Sequence, residues 1–529
     1  MKPAVHIRLV LIVLFTFLNA VSQSYSVSLE KKVNYKDWGA AWDTIFVLKN
    51  ELVTLALLPK IGGRIMQYDL KDHPSIYIEN SAKNTVPADG NAFIGGYRTL
   101  PSPQSDFSWP SPPALDCKPY ICKVLAESED STVIYMESQV ENSNDLKYTK
   151  HKGLQFKRVI TLYKASTRVK VEVTMLNKGT SVLKHGIWDI TQSDCSHNGV
   201  ADTKNFWVYF KKNPNSTLGG GKGYVQYMHE GTDNSQWRPD AAPGVFGVQY
   251  LKKTGKIGAD CRAGWIAFID QQDGYAYVKT FTYEDGKEYP DSGASVQVYT
   301  YNNRNVTEVE VHGPLVSLSP NDSTKMVENW FCARSSGPAN DVNDAGIITK
   351  RISAHQTADT LSIEGIYGVF YPGMVKAVFF NENNTAISSV DSFTVTPAES
   401  LTVSKKYKIP SGAVAIRLEA YNSSGSRIGV LDSASVPNPV GIGRNQFSVV
   451  PEKNISYSCK NQILKIGFIT PGSYVVTLFT TQGKLVDKKV IIASSSTTLD
   501  IPLKIRNTGI LQVSGNGRVE SRVVNVFAK

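Results

Sequence analysis

With 529 residues, 41% of them hydrophobic and 20% charged, the chain is an ordinary globular sequence with room for two to four domains. Its formal net charge of +10 is scattered rather than gathered into Lys/Arg runs with interleaved aromatics, which excludes a nucleic-acid surface of the usual kind. Six cysteines, at 117, 122, 195, 261, 332 and 459, lack the second paired set of Cys or His ligands that a zinc pattern needs, and neither a metal site nor a cofactor is expected.

The first residues carry Lys2 and Arg8, then the apolar run LVLIVLFTFL, then Ala20-Val21-Ser22, which predicts a cleaved secretory signal over residues 1–22. No later stretch reaches the roughly 20 apolar residues of a membrane helix, so no membrane-spanning segment is expected and the mature protein is expected to be secreted or at the cell surface. That compartment permits a small disulfide loop between Cys117 and Cys122.

Beyond the signal segment the sequence is strand and turn almost throughout. Runs such as ELVTLALLP, RIMQYDL, STVIYMESQV, RVKVEVTML, AGWIAFID and ASVQVYTY are rich in β-branched and aromatic residues and are separated by Gly, Pro, Asn and Asp. About 300 residues of such strands need packed antiparallel sheets to cover their apolar faces, so an all-β chain opening with a large β-sandwich is expected. Gly62 and Gly63 allow a turn of positive φ before Arg64, which either faces a ligand or forms a structural ion pair.

A long proline-rich stretch, NAFIGGYRTLPSPQSDFSWPSPPALDCKPY, presents Arg98, Asp106 and Trp109. It forms either a cap on the end of the sandwich or a wall that stacks on sugar rings and hydrogen-bonds their hydroxyls. The hairpin RVKVEVTMLNKGTSVLKHGIWDITQ then predicts Leu183, His185, Ile187 and Asp189 on one strand face and Lys184, Trp188 and Ile190 on the other. The glycines of GGGKG lack phosphate-loop spacing and a following helix, and read as a flexible loop. Lys256 stands near the entrance of the apolar strand AGWIAFID, at a turn or a ligand-facing edge.

In VTEVEVHGPLVSLSPNDSTKMVENW, valines alternate with Glu308, Glu310 and His312. A period of two puts the three ionisable groups on one face of a strand, where they form either a solvated face or the floor of a polar cleft. Beyond Arg351 the strands shorten and Trp and Cys become scarce, which predicts a small β-sandwich module over 351–436, and after Pro437-Asn438-Pro439 a last β-rich segment runs over 437–529.

The ordered set LLPKIGGRIMQYDL, FIGGYRTLPSPQSDFSWPSPPALD, TMLNKGTSVLKHGIWDITQ, KIGADCRAGWIAF and VTEVEVHGPLVSLSPNDSTKMVENW resembles the galactose-mutarotase-like superfamily, and in particular a bacterial family of unknown function within it. The resemblance implies a β-supersandwich over 25–345 whose concave face holds a carbohydrate. In the epimerases of that superfamily a histidine protonates the ring oxygen and a carboxylate takes the anomeric proton, roles that carry over to His185 and Glu310. Arg64, Arg98, Asp106, Trp109, Trp188, Asp189, Lys256, Glu308 and His312 are the candidate sugar contacts. The C-terminal segment, with Gly483-Lys484 at a turn and the closing VVNVFAK, is similar to the type A sorting tail of the Bacteroidetes type IX secretion system, which implies export machinery as a partner.

Three functions stay open on the sequence alone. The chain is a secreted sugar-binding or sugar-converting supersandwich protein, a non-catalytic surface module for adhesion or assembly, or a polysaccharide lyase or glycoside hydrolase accessory protein.

Overall fold

The computed structural model describes residues 25–87, 93–229 and 235–437, and after these only strands between Ile455 and Val526. The expected signal segment and the Asn438-Pro439 pair lie outside the described residues. No helix among the described residues is long and apolar enough to cross a membrane.

The chain is all-β, and its first 300 described residues build two large antiparallel sheets. In one, Val306–His312 lies between Leu183–Asp194 and Val296–Thr300, with Tyr97–Ser102 and Arg64–Leu70 beyond on one side and Gly255–Ala259 and Val225–His229 on the other. In the second, Ser323–Arg334 lies between Val169–Asn177 and Tyr275–Phe281. Alternation explains both, but differently. Val169–Asn177 buries every second side chain and half-exposes the rest, as a strand with one wet face does. Val306–His312 is buried at all seven positions, so its ionisable face is covered, and the solvated alternative does not hold.

Val309, Val311, Val296, Val298 and Ile257 turn inward and share one apolar core with Ile160, Val171, Val173, Phe268 and Trp330 of the facing sheet. Charges are trapped in the same layer. Lys279 Nζ lies 3.4 Å from Glu328 Oε2 and over the rings of Tyr97 and Trp330, and the Trp330 indole N–H donates to the same carboxylate oxygen at 2.6 Å. Asp189, from the first sheet, accepts the Thr99 hydroxyl at 2.7 Å. Burial raises the Glu328 carboxyl well above the usual range even beside Lys279, with Asp189 adding to the rise.

Sheet membership changes between Arg334 and Asp341. Two four-stranded antiparallel sheets come next, over Asp341–Ser435, around a separate core that includes Leu361, Tyr367, Phe379 and Leu418. The compositional change near Arg351 falls inside one of their strands, Gly346–Thr357. Phe331 and Phe370 stack at 4.2 Å where the two cores meet. Strands from Ile455 to Val526 form one three-stranded and one four-stranded sheet. No disulfide joins Cys117 and Cys122: the Cys117 thiol donates to the Pro113 carbonyl at 3.4 Å, and the Cys122 thiol is half-buried.

Removing one member of a buried ion pair strands the other charge. Lys279→Met is therefore expected to lower the unfolding free energy by about 3–5 kcal/mol in urea titrations, with much of it regained in Lys279→Met/Glu328→Leu, because replacing the pair together leaves no orphan. Equal losses in the single and double variants would contradict this account.

Candidate functional site

Register assembles the site. Trp188, Ile190 and Gln192 stand opposite His312, Glu310 and Glu308, and Gln297 and Tyr299 stand opposite Glu310 and Glu308 on the other side. Arg98 pairs with Ile190, Lys256 with Tyr299 and Met228 with Lys256. Because directly paired residues share a face, one row of side chains, Gln192, Glu308, Tyr299, Lys256 and Met228, crosses five strands on the side away from the core.

That face opens into a cleft of about 350 Å³. Arg98, Glu308 and Lys256 supply charge, Trp188, Tyr299 and Tyr301 form aromatic walls, and Phe93, Gln104 and Met228 close the rim. Trp109 stands on the rim with 47% of its surface exposed, and the Arg98 guanidinium lies 4.9 Å over its ring. A shallower hollow shares Gln104, Trp109, Met228 and Lys256, so the cleft continues past Trp109 toward Asp291 and Gln297.

The two floor carboxylates have different surroundings. Glu310 is fully buried: its Oε2 accepts the Trp188 indole N–H at 2.8 Å and Lys256 Nζ at 3.1 Å, and His312 Nε2 lies 3.6 Å away. Burial opposes its ionisation, but Lys256 and His312 together outweigh burial and hold the carboxyl at about 2. The His312 ring stacks on Trp188 at 5.4 Å, and Lys256 Nζ lies 4.8 Å over the indole's ring. Glu308 lines the cleft and gathers its contacts on Oε1, from Gln192 Nε2 at 2.7 Å, Tyr301 OH at 3.1 Å and Arg98 Nη2 at 3.6 Å. Burial raises its carboxyl, Arg98 opposes the rise, and ionised Glu310 adds to it.

Arg98 is held from behind. Asp116 accepts from Arg98 Nη1 at 3.2 Å and from Arg64 Nη2 at 2.8 Å. Gly62 makes this approach possible: its φ is 59°, and a Cβ there would lie 2.0 Å from the Asp116 carbonyl oxygen.

Several expected site residues stand elsewhere. Arg64 is fully buried on Asp116 and the Gly95 carbonyl and supports Arg98 without reaching the cleft. Asp189 points into the layer between the sheets because it pairs with inward Val311. Asp106 is occupied by Lys150 and lies 3.8 Å from His185 Nδ1, away from the cleft lining. His185 packs under the proline-rich loop, with Nε2 2.9 Å from the Lys150 carbonyl oxygen and its ring stacked on His151 at 4.7 Å. Desolvation lowers its pKa, which keeps the ring neutral. His185 is five residues from Ile190, the partner of Glu310, which at the strand rise is roughly 17 Å. The expected His185–Glu310 acid–base pair is therefore not formed. The histidine beside Glu310 is His312, and Glu310 itself lies beneath Trp188 and Lys256 rather than at the cleft surface.

Arg98, Trp109, Trp188, Lys256 and Glu308 line one cleft, with His312 stacked behind Trp188. Tyr299 and Tyr301 were missed. The signal was present: a short hairpin between ASVQVYTY and VTEVEVH sets Tyr299 opposite Glu308.

No family model matches the chain, and no curated protein matches it. Among solved structures, three loose likenesses are a TPR-domain containing protein from Parabacteroides distasonis (14% identity, 56% of this chain and 47% of that one, TM-score 0.39), a galactose mutarotase-like protein from Clostridium acetobutylicum (10%, 58% and 99%, 0.34) and another from Lactobacillus casei (9%, 54% and 99%, 0.35).

Proposed function

We propose that this chain binds carbohydrate in the cleft over Val306–His312, as a secreted mutarotase-like supersandwich protein. The observation that carries the reading is Trp109, a half-exposed indole beside Arg98 and across an aromatic-walled cleft from Glu308 and Lys256. A sugar ring has one apolar face and many hydroxyls, and it is held by an aromatic plane flanked by convergent donors and acceptors. Continuation of the cleft past Trp109 favours an oligosaccharide over a single ring.

Binding without turnover is the primary reading, because His185 and Glu310 do not meet. A sugar-converting reading draws on the opposite displacement of neighbouring Glu308 and Glu310, a pattern that separates an acid from a base. The ionised member is buried beneath Trp188 and Lys256, however, so substrate would have to displace them. Export remains part of the proposal through the N-terminal apolar run and the tail-like C-terminal segment.

Trp109→Ala is expected to weaken oligosaccharide binding by about 1–3 kcal/mol in calorimetry on ligands chosen from a glycan array. Unchanged affinity would remove the cleft from consideration. Wild-type protein is expected to show no mutarotation by polarimetry on fresh α-anomers of hexoses and uronic acids. Catalysed rotation abolished in Glu310→Gln would establish the sugar-converting reading instead, since an amide cannot take the proton.

Glu308 carries a pH signature. Its folded pKa lies above its unfolded value, so the stability it contributes is full below the unfolded pKa and is lost as pH rises through the folded one. Glu308→Gln, which mimics the protonated form, is expected to flatten the fall in urea midpoint as pH rises above the ordinary carboxylate range, whereas an unaltered slope would mean an ordinary carboxyl. Truncation after Val436 is expected to leave the first sheets folded and to stop surface appearance in a host with the matching export system. Normal surface appearance of the truncated chain would end the sorting role.

A further inference from the structure

We propose that His73, His197, Asp270 and Asp273 form a binding site for a divalent transition cation of the zinc class, independent of the sugar cleft, which clips the two large sheets together. His73 Nε2 lies 3.1 Å from Asp270 Oδ2 and 3.8 Å from Asp273 Oδ2. His197 Nε2 lies 2.8 and 3.7 Å from the same two oxygens. A cation with bonds of about 2.0–2.2 Å sets neighbouring ligand atoms roughly 2.9–3.6 Å apart, which these four separations bracket. His73, Asp270 and Asp273 present ligand atoms that all lie within 4.8 Å of one another, and His197 joins them through the same two carboxylate oxygens.

The four residues come from both sheets. His73 lies on the short strand His73–Pro74 paired with Arg64–Leu70, and His197 on the small hairpin after Leu183–Asp194. Asp270 ends the strand Trp265–Asp270, and Asp273 lies in the turn before Tyr275. Separation in the sequence hid the group, and the expectation of no metal site rested on cysteine spacing alone.

The surroundings fix the donors. Asp270 Oδ1 accepts the amides of Gln272 and Asp273 at 3.0 and 3.2 Å, which leaves Oδ2 to face the two imidazoles. His197 Nδ1 lies 3.2 Å from Asp202 Oδ2, so the second nitrogen of this ring also faces a carboxylate. His73 stacks on Tyr275 at 3.8 Å and His197 on Phe206 at 4.8 Å, so neither ring is free to turn away. Two imidazole nitrogens with two carboxylate oxygens suit zinc and its neighbours, whereas calcium and magnesium take oxygen donors almost alone. Asp273 is half-exposed, and both histidines are accessible at their edges, so a cation can enter from solvent.

The test uses the full chain, stripped with a chelator and titrated with zinc chloride near neutral pH by calorimetry and thermal melting. The expected result is one equivalent of saturable binding and a raised Tm, with no rise from calcium or magnesium chloride at the same concentration. Asp273→Asn and His197→Gln are each expected to lower zinc affinity at least about tenfold. Absence of saturable zinc binding, or binding left intact in both variants, would overturn the site. Should His197→Gln fail to fold, Asp273→Asn decides alone, because its side chain stands half in solvent. An anomalous peak at the zinc edge among the four side chains supports the assignment, and a peak elsewhere overturns it.

Discussion

Charge buried between the two large sheets is the constraint on which the rest of this fold depends. Lys279, Glu328, Asp189 and Arg158 cannot reach water, so each must meet a partner when the sheets close. Lys279 sits against Glu328 under the rings of Tyr97 and Trp330, Asp189 holds Thr99, and Arg158 reaches the Gly62 carbonyl while its guanidinium lies over Tyr120. A strand slipped by one residue would turn Asp189 outward and bring Trp188 or Ile190 into this layer. Fixing Asp189 inward is thus the same event as fixing Trp188, Ile190 and Gln192 toward the cleft. Core and site are two faces of one register.

This explains which parts of the site were legible in the sequence. EVEVH announced three ionisable groups on one face, and the structure keeps them together and covers them. Arg98, Trp109 and Lys256 were suspected from residue type in unusual settings, and all three line the cleft. His185 and Asp189 were misread because alternation gives the parity of a strand but not which parity faces the core. Both share a parity with Ile187, and Ile187 and Asp189 face the partner sheet, whereas His185 is covered by the loop that carries Asp106 and Phe107. Phe93, Gln104 and Met228 reach the rim from segments whose approach is set by tertiary packing, which no local pattern encodes. The β-rich architecture was plain throughout, since β-branched and aromatic runs punctuated by turn residues have no competing helical reading.

Asp116 illustrates how support is built behind a surface group. It receives Arg64 from one strand, Arg98 from the next and the Ser111 hydroxyl from its own loop. Arg98 is held from behind by this carboxylate and from the front by Trp109 and Glu308, so its fork is oriented before any ligand arrives. Preorganisation of this kind reduces the ordering cost of binding. The half-exposed indole then offers its free face without having to be recruited.

Internal pairing also determines how the cleft behaves toward salt. Arg98 is matched by Asp116 and Glu308, and Lys256 by Glu310, so little field escapes into solvent from the floor. The formal +10 of the whole chain is therefore carried mainly by other surfaces, where dissolved ions screen it. A neutral ligand entering the cleft would meet hydrogen-bonding groups rather than a net potential, and its residence there would be nearly indifferent to ionic strength. Polyanions drawn to the outer surface would be shed as salt rises, so a salt series separates ligands held by the cleft from those merely attracted to the protein.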